Sequence, residues 1–304
     1  MLFMIKRLLS LLLLFSLLSA CRSSVATPLP GDGLLIAAST TILADLTRNV
    51  IGSRGQVFSL LPPGADPHEY QASPSDVQRI TRSSLLIMNG LGYEAFLQPL
   101  LENAGGERAI VIASAGLEPR SSGSPSGGAA PDPHMWLDPS RVTGYIENIC
   151  DGLTRLDPLG AATYRQNADA YIIQLNQLDA WISEQVNTIP VDRRLLVTNH
   201  ESMGYFAAHY GFTVVTTVLP GLSTEARTSA RQLAAVIDQV KAVHAPAIFV
   251  GQLENTDLAD QIAGETGAVV VNDLYLESLT QGPPAPTYID MMKHNVQRIV
   301  TALQ

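Results

Sequence analysis

Two cysteines in 304 residues, Cys21 and Cys150, leave no material for a disulfide framework. Cys150 sits in "YIENICDGL" at helical spacing from Ile146 and Leu153, where a buried thiol is expected. Basic residues are also few, 19 against 28 acidic, which argues against nucleic acid as a partner. No apolar run reaches the about 20 residues that a membrane-spanning helix needs, because the run from Leu8 to Leu18 is cut short by Ser19-Ala20-Cys21. No repeat of solenoid length is present, which excludes the stacked-repeat architectures. Histidine is scarce too, six in all, so the repeated use of one context for two of them stands out.

What is present begins with an export signal. Lys6 and Arg7 open it, the short apolar run follows, and Leu18-Ser19-Ala20-Cys21 matches the bacterial lipobox, in which the Cys is acylated and becomes the first residue. Residues 1–20 are therefore read as a lipoprotein signal peptide and Cys21 as the lipidation site, giving a protein tethered by lipid. An ordinary signal cut after Ala20 would give a soluble secreted protein instead. Loss of Lys6 and Arg7 moves the formal charge from −9 to −11. Such acidity gathers cations, although it is also the ordinary state of an exported surface. Residues 21–33 lack apolar periodicity and read as a flexible tether.

About 280 residues remain, more than one small core holds, which points to two lobes. Short runs rich in Val, Ile and Leu alternate with helical patterns. The predicted strands are Leu34–Thr40, Val57–Leu61, Ser84–Asn89 and Ala109–Ala113, then Arg194–Thr198, Thr213–Leu219, Ala247–Gly251 and Ala268–Asn272. This is an α/β pattern with a mostly parallel four-stranded sheet in each half. Asp138-Pro139 predicts a helix start, with the helix running to about Leu156. Ala161–Ile189 then reads as one long helix, stiff enough to join the lobes and limit their motion. The expected domains are an N-terminal lobe over 34–160, a connecting helix over 161–189 and a C-terminal lobe over 190–304. Pro119–Pro133 is a Ser/Gly/Pro-rich segment expected to be a mobile surface loop.

Asp66-Pro67-His68 and Asp132-Pro133-His134 repeat one tripeptide, and each proline restricts the chain just ahead of an imidazole. Pro62-Pro63-Gly64 ends a strand and Ser73-Pro74-Ser75-Asp76 opens a helix as a capping box, so His68 lies on a strand-to-helix loop, where doubly wound sheets place their ligands. His200 occupies the same kind of position in "LLVTNHESMGYF", and Glu277 follows the last strand in "VVVNDLYLESLT". Three imidazoles and one carboxylate at strand ends, two from each half, make a four-ligand site for a divalent transition metal. Taken singly, each is an ordinary loop residue. Glu69 and Glu201 adjoin these positions as substitute ligands or supports, while Tyr70 and Trp136 are expected to wall the site. His209, His244 and His294 lie in helical patterns and read as surface or core residues.

The chain resembles the metal-binding lipoproteins that serve zinc and manganese ABC transporters as solute-binding proteins. The resemblance runs from residue 34 to 304 and rests on Pro63–Tyr70, "NGLGYEAFL" at 89–97, "DPHMWLDP" at 132–139, "HESMGYFAAHYGF" at 200–212 and "LYLESL" at 274–279. It implies two α/β lobes joined by a backbone helix with the ion between them, and a monomer that delivers its ion to a membrane permease. It also implies the ligands His68, His134 and His200, with Glu277 where the family usually has Asp. Many zinc members carry a His-rich loop near Pro119–Pro133, and this chain has none. Three imidazoles with one carboxylate fill a tetrahedral shell that suits Zn(2+), so zinc is the expected cargo and Mn(2+) the alternative. A zinc hydrolase, with an open fourth position, is the rival reading. A larger chelate would leave three converging imidazoles without a role. Adhesion is also ascribed to the family, and these residues neither support nor exclude it.

Overall fold

A computed structural model of the chain describes residues 33–71, 73–104, 108–121 and 130–304. The signal peptide 1–20, Cys21, all of the tether before Gly33 and residues 122–129 of the Ser/Gly-rich segment lie outside the described residues.

Each lobe is a parallel four-stranded sheet. In the N-terminal lobe β1 (Leu34–Ala38), β2 (Gly55–Ser59), β3 (Leu85–Met88) and β4 (Ala109–Ile112) stand in the order β2-β1-β3-β4. In the C-terminal lobe β5 (Leu195–Thr198), β6 (Thr213–Thr217), β7 (Ala247–Gly251) and β8 (Val269–Leu274) repeat it as β6-β5-β7-β8. All pairings between these strands are parallel, with Ile36 opposite both Val57 and Leu85 in the first sheet. The order reverses direction between β1 and β3 and again between β5 and β7, so each sheet has a crevice at its carboxyl edge where such folds bind ligands.

Several strands end earlier than their apolar runs suggest, because the following residues do other work. Ser39 and Thr40 continue the β1 run, yet Thr40 caps α1 (Thr41–Ile51) by accepting from Leu43 N at 3.2 Å. In α2 (Pro74–Arg82) the expected capping box forms between Ser73 and Asp76, with Pro74 in the first turn. α3 (Gln98–Ala104) completes the helices of that half before β4. Asp138 caps α4 (Pro139–Leu156) through Ser140 N at 3.0 Å.

The connecting helix α5 spans Ala161–Val186, three residues short of its predicted end, and its 26 residues extend about 40 Å. Tyr164, Ala168, Tyr171, Leu175, Leu178, Ile182 and Val186 recur every three or four positions and are buried. After it come α6 (Gly204–Tyr210), α7 (Ala230–Val243), α8 (Asp257–Thr266) and α9 (Tyr288–Leu303). Alternation along the strands sorts the two faces of each sheet. Ile36, Ala38, Leu85 and Ile87 face α1, α4 and α5, whereas Ala37 and Leu86 face α2 and α3. In the second sheet Leu196, Ala247 and Phe249 face inward to α6 and α9, while Val197, Ile248 and Val250 face α7 and α8. The two inner faces and α5 form one continuous apolar core. Cys150 is buried in it, as expected of a structural thiol.

Candidate metal centre

The loops at the carboxyl edges of the two sheets meet, and they bring His68, His134, His200 and Glu277 together. One donor atom from each lies within 4.8 Å of all the others. His134 Nε2 is 3.4 Å and His200 Nε2 3.5 Å from Glu277 Oε1. The imidazole centroids stand 5.3 to 6.1 Å apart. His134 and His200 are fully buried, Glu277 is 5% exposed, and His68 is half-buried.

Four atoms in this group have no hydrogen-bond partner: Nε2 of His68, His134 and His200, and Oε1 of Glu277. Orphaned buried polar atoms are rare and costly, and here they converge on one point. The donor set fits a divalent transition metal, since borderline imidazole nitrogens and a carboxylate oxygen are suited to zinc and its neighbours.

Each donor is held from behind. Asp66 Oδ1 accepts the backbone N–H of His68 at 2.8 Å, and Asp132 Oδ1 does the same for His134 at 2.9 Å. The intervening proline has no N–H to compete, so the tripeptide Asp-Pro-His is an Asx turn that fixes the imidazole's point of departure. Asp132 Oδ1 also lies 2.8 Å from His134 Nδ1, and Glu254 Oε1 lies 2.7 Å from His200 Nδ1. Once the ring is neutral, a carboxylate at Nδ1 keeps the remaining proton there and presents the Nε2 lone pair to an ion, the usual arrangement behind a metal-binding imidazole. Tyr93 donates to Glu277 Oε2 at 2.6 Å.

Tyr93 reaches that position through an unusual turn. In Asn89-Gly90-Leu91-Gly92 the last three residues all have left-handed φ, of 91°, 57° and 84°. Two of the three are glycine, which tolerates this region freely. Glu94 closes the turn by accepting from Asn89 N, Gly90 N and Ser39 Oγ. Trp136 packs with a tilted ring 4.8 Å from Tyr93 and 5.2 Å from His134, centroid to centroid, and its indole N–H donates to Leu276 O at 2.8 Å. It therefore walls the site and ties the Glu277 loop to the opposite lobe.

The remaining sequence candidates are placed differently. Tyr70 packs on Phe96 and donates to Asp76, at the helix cap. Glu69 is exposed, and neither it nor Glu201 belongs to the four-atom group. His244 is exposed at the end of α7, and His294 reaches Asp273 O at 2.9 Å. His209 does more than its helical pattern suggests, joining Asp138 at 2.7 Å and Asp179 at 3.5 Å in a second group of close donors. Those atoms are already engaged, Asp138 by Ser140 and Asp179 by Tyr210 at 2.6 Å, so nothing there awaits an ion. Asp132, Glu254 and Tyr93 escaped the sequence reading of the site. Asp132 was signalled by its place in the tripeptide, whereas Glu254 and Tyr93 carry no local mark.

In the metal-free site, burial pushes the Glu277 carboxyl up, but the close approach and charge of His134 and His200 outweigh it and hold the carboxyl well below the usual range. Burial likewise disfavours charge on His200, and Glu254 with Glu277 reverse this and raise it to about 10. His134 is raised against burial by Asp132 and Glu277. His68 alone is lowered, chiefly by burial and also by its two imidazole neighbours, with Glu277 opposing.

A family model described as "Zinc-uptake complex component A periplasmic" matches residues 36–302. The chain belongs to this family. It is 36% identical to a manganese-binding lipoprotein of Halalkalibacterium halodurans, over 90% of this chain and 89% of the relative. It is 33% identical to an iron-binding protein of Yersinia pestis, over 87% and 84%. The manganese-bound structure of a periplasmic metal-binding protein from Candidatus Liberibacter asiaticus has a TM-score of 0.79 at 27% identity, covering 89% of this chain and all of that one. The family comprises substrate-binding proteins of metal ABC importers, which replaces the hydrolase reading. Among the described residues no helix is long and apolar enough to cross a membrane.

Proposed function

We propose that this metal-importer substrate-binding protein captures Zn(2+) outside the cytoplasmic membrane through His68, His134, His200 and Glu277 and delivers it to the permease. The observation that carries the reading is the convergence of four orphaned, buried donor atoms on one point. Tyr93 engages Glu277 Oε2, which leaves one carboxylate oxygen free and makes a four-donor shell. Three nitrogens and one oxygen in such a shell suit zinc, and the affinity order of divalent metals favours zinc over manganese at the same donors. Manganese is the second reading, supported by the manganese-binding relative in Halalkalibacterium halodurans. It would require Glu277 to turn both oxygens to the ion, because manganese takes more oxygen donors.

The protein acts as a monomer held at the membrane by lipid on Cys21, with 34–160 and 190–304 as its lobes and 161–189 as the connector. Trp136 and the carboxylates of Asp132 and Glu254 support the ligands. Calorimetry with zinc and manganese in competition tests the assignment. Zinc displacing manganese from wild type, and loss of tight binding in His68→Ala with the fold retained, are the expected results. Tight binding retained by His68→Ala would remove His68 from the shell, and preference for manganese would reverse the cargo.

A further inference from the structure

The two Asp-Pro-His turns are alike in backbone and different in what the aspartate does with its remaining capacity. Asp132 uses Oδ1 for both the backbone N–H and the ring of His134, entirely within its own lobe. Asp66 gives Oδ1 to the His68 N–H and Oδ2 to the hydroxyl of Thr224, at 2.8 Å, 158 residues away in the other lobe. The other lobe reaches the second turn only at its backbone, where Tyr205 donates to Asp132 O at 2.7 Å, so the aspartate side chain orients His134 without help from across the cleft. In the first turn the aspartate side chain is itself bonded to the other lobe.

Thr224 belongs to the loop between β6 and α7, which is fastened to its own lobe. Thr228 donates to Val218 O at 2.6 Å, and Gly221 O accepts from Glu201 N at 2.9 Å, one residue beyond His200. The same loop therefore adjoins one donor directly and reaches another through Asp66. His68 is also the least buried of the four, and a cavity of about 350 Å³ lined by Asp66, Glu69, Thr224 and Glu254 runs beside the contact. The His68 loop has a second cross-lobe tie, Gly64 N to Ser278 Oγ at 3.1 Å, which lies at the start of the loop, four residues before His68.

We propose that Asp66 is the positioning residue through which the C-terminal lobe holds His68 on the ion, with Thr224 as its anchor, so that withdrawal of the Thr224 loop frees His68 first. This rests on the reading of His68 as a ligand. A hydroxyl-to-carboxylate bond is a charge-assisted one, and its loss should appear in the release rate.

Release of Zn(2+) into excess chelator, followed by stopped flow on the full chain, tests the proposal. Thr224→Val should release zinc about ten-fold faster, with Thr224→Ser close to wild type and the association rate unchanged. In an Asp66→Ala background Thr224→Val should add nothing, since both act on one contact. Asp66→Ser, whose hydroxyl can still accept the His68 N–H in the turn but is too short to reach Thr224, serves the same cycle where Asp66→Ala does not fold. Wild-type release by Thr224→Val, or an undiminished effect in the Asp66 background, overturns the proposal. His68→Ala separates the two readings. If it binds zinc as wild type does, the ligand assignment itself fails; if it loses binding while Thr224→Val behaves as wild type, only the anchor fails.

Discussion

Tyr93 and Glu277 meet across the cleft, the phenol donating to Oε2 at 2.6 Å while Oε1 is left without a partner. The contact joins residues 184 positions apart and decides how many carboxylate oxygens face the ion. Tyr93→Phe removes only the hydroxyl and frees Oε2. Zinc needs one oxygen, so its affinity should fall by less than about ten-fold, the worth of one charge-assisted hydrogen bond. Manganese gains a second donor, and its disadvantage relative to zinc should shrink. Competition calorimetry on wild type and variant reads both. An unchanged ratio would mean that Glu277 binds through one oxygen whether or not Tyr93 restrains it.

Glu254 lies behind His200 as Asp132 lies behind His134, and both carboxylates are outside the group of converging atoms. Glu254 also accepts from Gly251 N, where a side chain would place its Cβ 3.1 Å from the carboxyl carbon. Glycine at that position lets the carboxylate close on the strand end. Glu254→Ala should weaken zinc binding about 10- to 100-fold with the far-ultraviolet circular dichroism unchanged, the usual cost of removing a carboxylate behind a metal-bound imidazole. Wild-type affinity would show that the imidazole is oriented by packing alone.

Much of this was legible in the sequence because it is local. Eight parallel strands, the Ser73 capping box, the Asp138-Pro139 helix start and the long α5 all follow from short patterns. Strand ends were less so: Ala247–Gly251 matches its run, whereas the run through Ser39-Thr40 passes into a helix cap. The four donors were readable from a repeated tripeptide and two strand ends. Glu254 and Tyr93 were not, since one lies 54 residues from His200 and the other reaches Glu277 only through a left-handed turn. The shared core was hidden for the same reason. An amphipathic stripe says that a helix is buried, and does not say that both lobes bury it.

That core predicts that the two lobes unfold in a single event. α5 buries Leu175 and Leu178 in one apolar cluster that also holds residues of both halves. Leu175→Ala should cost about 2–5 kcal/mol, the range for truncating a buried leucine. Calorimetry on wild type should show one cooperative transition for residues 34–304, shifted as a whole in the variant. Two separable transitions, with only one shifted, would show lobes that fold independently.

The metal-free cluster is held together partly by its own protons, and this gives metal binding a pH signature. His200, raised to about 10 by Glu254 and Glu277 against burial, keeps its proton at neutral pH, and His134 is displaced in the same direction. An ion requires both imidazoles neutral, so each metal captured must expel protons. Calorimetry at pH 7 in two buffers of different ionisation heat should find at least one proton released per zinc. Affinity should rise about ten-fold per pH unit for each proton displaced, levelling as pH approaches the His200 value. Stability of the metal-free chain runs the other way. A value raised from 6.5 to about 10 contributes stability that is fully present below 6.5 and lost as pH climbs through 10, so the metal-free Tm should fall across that window. Glu277, lowered well below 4.5, contributes stability present above 4.5 and lost only as pH falls through its folded value. The zinc-loaded protein, with both imidazoles already neutral, should not share the alkaline decline. Equal slopes with and without zinc, together with no proton release, would place both imidazoles in the neutral form before the ion arrives.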